Sequence, residues 1–147
     1  MKRLRSRHKK MEDRKIKHLE MIENVIQRMA DNSFKLKGWA VALIGLLSVF
    51  FSSAKNIHFL LAIIILILAF WYMDSYYLQL EKKYRVLYRN VCETPDSDVD
   101  FNMDISKIQM SDKEKEQIMR RKCIMADCEM QFYGPILLVV LGMQFLL

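Results

Sequence analysis

Gly38-Trp39-Ala40-Val41-Ala42-Leu43-Ile44-Gly45-Leu46-Leu47-Ser48-Val49-Phe50-Phe51 and Ile57-His58-Phe59-Leu60-Leu61-Ala62-Ile63-Ile64-Ile65-Leu66-Ile67-Leu68-Ala69-Phe70-Trp71-Tyr72-Met73 are two apolar runs, separated only by the polar patch Ser52-Ser53-Ala54-Lys55-Asn56. Neither run contains Asp, Glu, Lys or Arg. A helix that crosses a bilayer needs roughly 17–25 mostly apolar residues, because each adds about 1.5 Å against a hydrocarbon core of about 30 Å. The second run has that length unaided, and the first reaches it with its flanks, residues 34–37 and 52–53. The alternative, a hydrophobic hairpin buried in a soluble domain, needs a covering layer that a chain of 147 residues lacks. The expected fold is an all-α membrane protein: a transmembrane helical hairpin with a cytoplasmic helical bundle and a short C-terminal apolar helix.

Charge sets the orientation. Of the 23 Lys and Arg residues, twelve lie in residues 1–37, ten in 74–134, and one, Lys55, between the two runs. Positive charge is retained on the cytoplasmic side of a membrane. The N-terminus and the polar segment after Met73 are therefore expected in the cytoplasm, with the 52–56 turn outside. A cleaved signal peptide is not expected, since the first apolar run begins far from Met1 and no small-residue cleavage site follows it. On this topology Cys92, Cys123 and Cys128 face a reducing compartment. Cys123 and Cys128 lack the two-residue gap of zinc or redox pairs, and His8, His18 and His58 all lie upstream, so buried or inert thiols are expected.

Residues 1–15 form a basic arm in which Arg3, Arg5, Arg7, Lys9 and Lys10 are candidate contacts for anionic lipid or phosphate. Each basic residue near a membrane surface contributes about 1 kcal/mol, and no aromatic residue among the first seventeen is available to stack a base. Residues 16–33 read as an amphipathic cytoplasmic helix, with Leu19, Ile22, Ile26 and Met29 on one face. Asp31-Asn32-Ser33 can bond the backbone and cap a new helix, so a break is expected there. Residues 34–56 hold the first membrane helix and outer turn. Phe34, Lys37 and Trp39, with Trp71, Tyr72 and Tyr76 at the end of the second run, have the amphipathic character of membrane-interface residues.

The two membrane helices differ in kind. Gly38, Ala42, Gly45, Ser48 and Ser52 fall within one arc at 100° per residue. Small residues let helices approach closely in lipid, which makes this arc a candidate helix-packing or oligomer face. The second helix is bulky, which suits lipid exposure, and is expected to run over 57–92. Its cytoplasmic seam of Tyr77, Leu80, Tyr84, Leu87 and Val91 matches the Leu19, Ile22, Ile26 and Met29 stripe, within one chain or between subunits.

Residues 93–110 read as an acidic loop begun by Thr94-Pro95, with Asp96, Asp98, Asp100 and Asp104 suited to pair with the basic arm. The alternation resembles the start of a calcium loop, but Phe101 stands where Gly is needed and Lys107 where a bidentate Glu is needed. Ser111 and Glu114 have the spacing of a capping box, predicting a cytoplasmic helix over 111–131. Gly134-Pro135 suits a first helical turn, so 132–147 reads as a short apolar membrane-inserted helix. Thirteen residues from Pro135 reach only about 20 Å. That leaves the tail to span a thinned membrane, enter it partway, or pack within an oligomer.

Catalytic patterns have little support. The sequence has no Gly-rich phosphate loop, zinc-ligand cluster or nucleophile beside a His in a strained turn. The apolar runs also lack the charges that mark pumps and proton relays. A non-enzyme without cofactor or evident small-molecule substrate is expected. The run Lys17-His18-Leu19-Glu20, Ile22, Val25-Ile26, Arg28-Met29-Ala30, Asn32-Ser33-Phe34 and Lys37-Gly38-Trp39-Ala40 resembles a group of small bacterial multi-helix membrane proteins of largely unassigned function. Trp71, Asp74, Tyr76-Tyr77-Leu78, Glu81 and Val99-Asp100-Phe101-Asn102-Met103 extend the likeness.

The architecture is also similar to small membrane effectors of bacterial anti-phage loci, including the accessory membrane protein of type VI-B RNA-targeting CRISPR systems. That resemblance implies a bacterial inner (plasma) membrane location, a homo-oligomer, and a pore or depolarising activity in antiviral defence, with a cytoplasmic protein or ribonucleoprotein partner as its trigger. It also brings an Arg-x4-His nuclease motif, whose spacing Arg3 and His8 match, while Arg14 and His18 are one residue short. An RNase acting through this pair is the remote alternative. A non-enzymatic membrane adaptor, recruiting a cytoplasmic partner through the Tyr77 to Val91 helix or the acidic loop, is the nearer one.

Overall fold

The computed structural model describes the backbone of residues 2–54 and 57–142, with side chains for 9–51 and 57–142. Two long helices dominate it: α1 (Lys2–Ala54, 53 residues) and α2 (Ile57–Glu93, 37 residues). A single 3-10 turn, Asp96–Asp98, and the shorter α3 (Asp112–Ile118), α4 (Arg120–Ile124) and α5 (Asp127–Gly142) follow, and no strand occurs among the described residues. At about 1.5 Å per residue, α1 is about 80 Å long and α2 about 55 Å. Both helices are long and apolar enough to cross a membrane, and only 22% of each one's apolar window is buried within the chain.

The hairpin register follows from symmetry about the link between residues 55 and 56. Lys37 and Asp74 are each eighteen residues from it, and they pair. Lys15 and Asp96, each forty residues away, pair as well at 3.2 Å. Antiparallel helices of equal rise put equidistant residues at the same height, so one short turn determines the partners along the whole hairpin.

Two apolar clusters hold the hairpin together. At the level of the apolar runs, Ala40, Ile44 and Phe51 of α1 meet Leu60, Ile63 and Ile67 of α2, with Tyr133 and Val140 of α5. The expected division, in which the second helix faces lipid while the first packs, is corrected: both helices bury a stripe and both expose one. Trp39, Leu46 and Val49 of α1 and Leu61, Ile65 and Leu68 of α2 are exposed. Lower down, Ile22 packs on Leu87 and Val91, with Leu19, Ile26 and Tyr84 around them and Met103, Ile105 and Ile108 covering the end.

The break expected at Asp31-Asn32-Ser33 does not occur, and residues 2–33 are one helix with the first apolar run. Ser33 gives the reason. Its hydroxyl accepts a bond from Lys37 Nζ one turn on, at 3.0 Å, so it does not cap a new N-terminus. The buried stripe Ile22, Leu36, Ala40 and Ile44 continues through the segment against α2, and a change of direction would break that contact.

The helix predicted over 111–131 is corrected to α3, α4 and the start of α5. The capping box is present: Ser111 N donates to Glu114 Oε2 at 2.8 Å and Glu114 N to Ser111 Oγ at 3.4 Å. Met119, however, adopts an extended ψ of 136°. The kink allows Ile118 and Cys123 both to be buried, and side chains of α2 satisfy the backbone it frees. Gln79 Nε2 donates to Ile118 O at 2.8 Å, and Trp71 Nε1 donates to Ile124 O at 2.9 Å. Pro135 is likewise not in a first turn, because α5 already begins at Asp127 and carries the proline in its interior. The N-terminal half of α5 is held helical by its docking on α2 through Tyr133.

Candidate functional site

One residue outside each apolar run, Lys37 of α1 and Asp74 of α2 form an ion pair. Glu129, from the first turn of α5, approaches the same ammonium at 3.3 Å. Tyr133, one turn further along α5, donates its hydroxyl to Asp74 Oδ2 at 3.1 Å. Asp74, Glu129 and Tyr133 are all essentially inaccessible, while the Lys37 side chain is 21% exposed. Aromatic rings form the walls: Trp71 stacks on Tyr133 with centroids 5.8 Å apart, and Lys37 Nζ lies 5.6 Å from the Phe132 centroid and 5.9 Å from that of Tyr133.

A full donor count shows what this site lacks. An ammonium has three N–H donors, and those of Lys37 go to Ser33 Oγ, Asp74 Oδ2 and Glu129 Oε1. None is left for Asp74 Oδ1 or Glu129 Oε2, which are buried without a hydrogen-bond partner. Two carboxylates thus share one cation in a nearly closed site. Glu129 lies outside the two apolar runs, and burial, reinforced by the negative charge of Asp74, pushes its carboxyl up to about 7 against the opposing pull of Lys37. The arrangement suits proton binding and anchoring of α5 to the hairpin.

Of the residues expected at the membrane interface, Lys37 belongs to this site and Trp71 to its wall. Phe34 and Trp39 are exposed. Tyr72 and Tyr76 are also exposed, with the Arg120 guanidinium 4.2 Å and 5.2 Å from their ring centroids. Of the small-residue face, Gly38, Ala42 and Gly45 are exposed and Ser48 is half-buried, its hydroxyl bonded to Ile44 O at 2.8 Å. The side chain of Ser52 lies outside the described residues.

The seam residues divide into those that meet and those that do not. Leu19, Ile22, Ile26, Tyr84, Leu87 and Val91 come together, while Met29, Tyr77 and Leu80 are half-buried outside that cluster. Lys9 and Lys10 are exposed. The side chains of Arg3, Arg5, Arg7 and His8 lie outside the described residues, and with them the Arg3–His8 pair.

The acidic loop does meet the N-terminal arm. Lys15 donates to Cys92 O at 3.0 Å and Thr94 O at 2.8 Å besides pairing with Asp96, and Arg14 reaches Val99 O at 3.5 Å. Within the loop, Asp100, Asn102 and Asp104 each accept the backbone N–H two residues on. Among the described residues no group of three or more His, Cys, Asp or Glu is placed to hold a metal ion. Of the thiols expected to be buried or inert, Cys123 is buried, which pushes its thiol up from the usual range, while Cys92 and Cys128 are free and exposed.

Sequence reasoning missed Glu129 altogether, and gave Lys37 and Asp74 no role together. Lys37 and Asp74 are equidistant only from the link between α1 and α2, and not from the middle of the expected 52–56 turn, so the sequence carried no direct signal of the pair. Nothing marks Glu129 either. No protein family, curated protein or solved structure matches the chain.

Proposed function

We propose that this chain is an integral protein of a bacterial inner membrane, with residues 1–37 and 74–131 cytoplasmic, that assembles with copies of itself and makes the membrane leak. The observation that carries self-assembly is the unoccupied small-residue face of α1. Gly38, Ala42 and Gly45 are exposed, and open space surrounds the Cβ position of either glycine. The opposite stripe of α1, Ala40, Ile44 and Phe51, is already committed to the intrachain cluster. In lipid, where apolar surface alone gives no drive to associate, such a face favours close helix contact with a second copy. The belt of exposed apolar side chains at the same level supports the membrane setting.

The leak itself rests on the resemblance to anti-phage membrane effectors. The adaptor reading keeps the acidic loop and the outward side of the Tyr77 to Val91 helix, whose Tyr84, Leu87 and Val91 pack against α1 of the same chain. The test is reconstitution in anionic liposomes with a mass measurement in mild detergent. An oligomer that releases ions or dye is the expected result. A monomer, or an oligomer that leaves the vesicles tight, overturns the proposal.

A further inference from the structure

We propose that Glu129 is a proton-binding site, holding one proton at mildly acidic pH in the pocket it shares with Asp74 and Lys37. This goes beyond the membrane assembly proposed above and does not depend on it. Asp74 is better compensated: its Oδ2 accepts from both Lys37 and Tyr133. Glu129 has only the longer 3.3 Å contact to Lys37 and a weak 4.0 Å approach from the Cys128 thiol. Two carboxylates on one ammonium leave one negative charge unmatched, and like charges this close disfavour double ionisation.

The opposing effect is smaller. Glu129 is in the first turn of α5, where the helix dipole favours an anion only weakly. Burying an unmatched charge costs more than that, so protonation wins. A bound alkali cation is the less fitting occupant, because the Lys37 ammonium already contacts both carboxylates. The titratable and charged groups facing Glu129 are Lys37 from α1, Asp74 from α2, Cys123 from α4, and Cys128 and Tyr133 from α5.

Loss of the proton leaves a net negative charge between α5 and the hairpin, so the docking of α5 becomes pH-dependent. For a carboxyl raised above its ordinary value of 4.5 to about 7, the folded chain binds more protons than the unfolded one between those values. Stability therefore falls as pH rises through that window.

The test is infrared spectroscopy of the full chain in detergent, reading the carbonyl stretch of protonated carboxyl groups at about pH 6, where ordinary Asp and Glu are ionised. The expected result is one protonated carboxyl per chain, lost by about pH 9, and absent from Glu129→Gln with helix content unchanged. Asp74→Asn should lose it too, since Lys37 is then free to neutralise Glu129 alone. No such band in the native chain, or a band that persists in Glu129→Gln, overturns the assignment. So does loss of the band on adding sodium chloride at constant pH, which would identify a cation as the occupant. Absence of the band in the native chain overturns the assignment even if a variant fails to fold.

Discussion

Lys37 and Asp74, thirty-seven residues apart in sequence, form an ion pair whose aspartate is wholly buried. Each stands one residue beyond an apolar run, so the pair closes the hairpin at the boundary between its apolar and charged halves. The same aspartate receives Tyr133 from α5. One carboxylate therefore ties three helices together at a single height.

Replacing Asp74 with Ala leaves the Lys37 ammonium short of one acceptor and the Tyr133 hydroxyl without its partner. Breaking a buried pair so that a charge is left uncompensated costs about 3–5 kcal/mol. Unfolding by denaturing detergent should show Lys37→Met strongly destabilised, since it leaves Asp74 and Glu129 both unmatched, and Asp74→Ala destabilised less, since Lys37 still neutralises Glu129. Strict additivity of the two losses in the double variant would mean that the two residues act independently.

Glu114 gives the polar end of the hairpin its own pH response. The Arg89 guanidinium at 2.5 Å, then the Ser111 backbone N–H and hydroxyl, hold this carboxyl down at about 2 from an ordinary 4.5. The folded state releases that proton more readily than the unfolded one. Its contribution is complete above about 4.5 and is lost as pH falls toward about 2. Amide exchange in α3 should accelerate across that interval, and Glu114→Gln should make the exchange insensitive to it.

Gly45→Leu separates assembly from folding. Nothing lies within 4 Å of a Cβ at this position, so the single chain should keep its helix content and thermal stability. A second copy packed on that face would be displaced, and the mass in detergent should fall to that of a monomer. Ile65→Leu, on the exposed side of α2, should leave the oligomer intact. Equal effects would show that the free face of α1 is not the contact.

Trp71→Phe keeps an aromatic ring against Tyr133 but removes the N–H that caps Ile124 O. A lost hydrogen bond of this kind costs about 1 kcal/mol. The loss should be local, with faster amide exchange around residues 119–125 and little change in the hairpin. Trp71→Ala, which also empties the stacking site, should cost about 3–5 kcal/mol. Equal losses for Phe and Ala would assign the whole effect to the hydrogen bond.

The sequence by itself determined the two apolar helices, their antiparallel pairing and the capping box at Ser111, because these depend on local composition, periodicity and spacing. Lys37 opposite Asp74 does not belong with them: the expected turn at 52–56 is centred on residue 54, and only the helix ends at Ala54 and Ile57 bring residues 37 and 74 level. The uninterrupted run through Asp31-Asn32-Ser33, the kink at Met119 and the early start of α5 were decided only by tertiary structure. At each, a weak local preference yields to packing against α2, or to a side chain of α2 that satisfies the freed backbone. Glu129 is the clearest case. It reaches Lys37 across ninety-two residues of chain, and its position depends on where α5 docks, which no periodicity within 127–142 encodes.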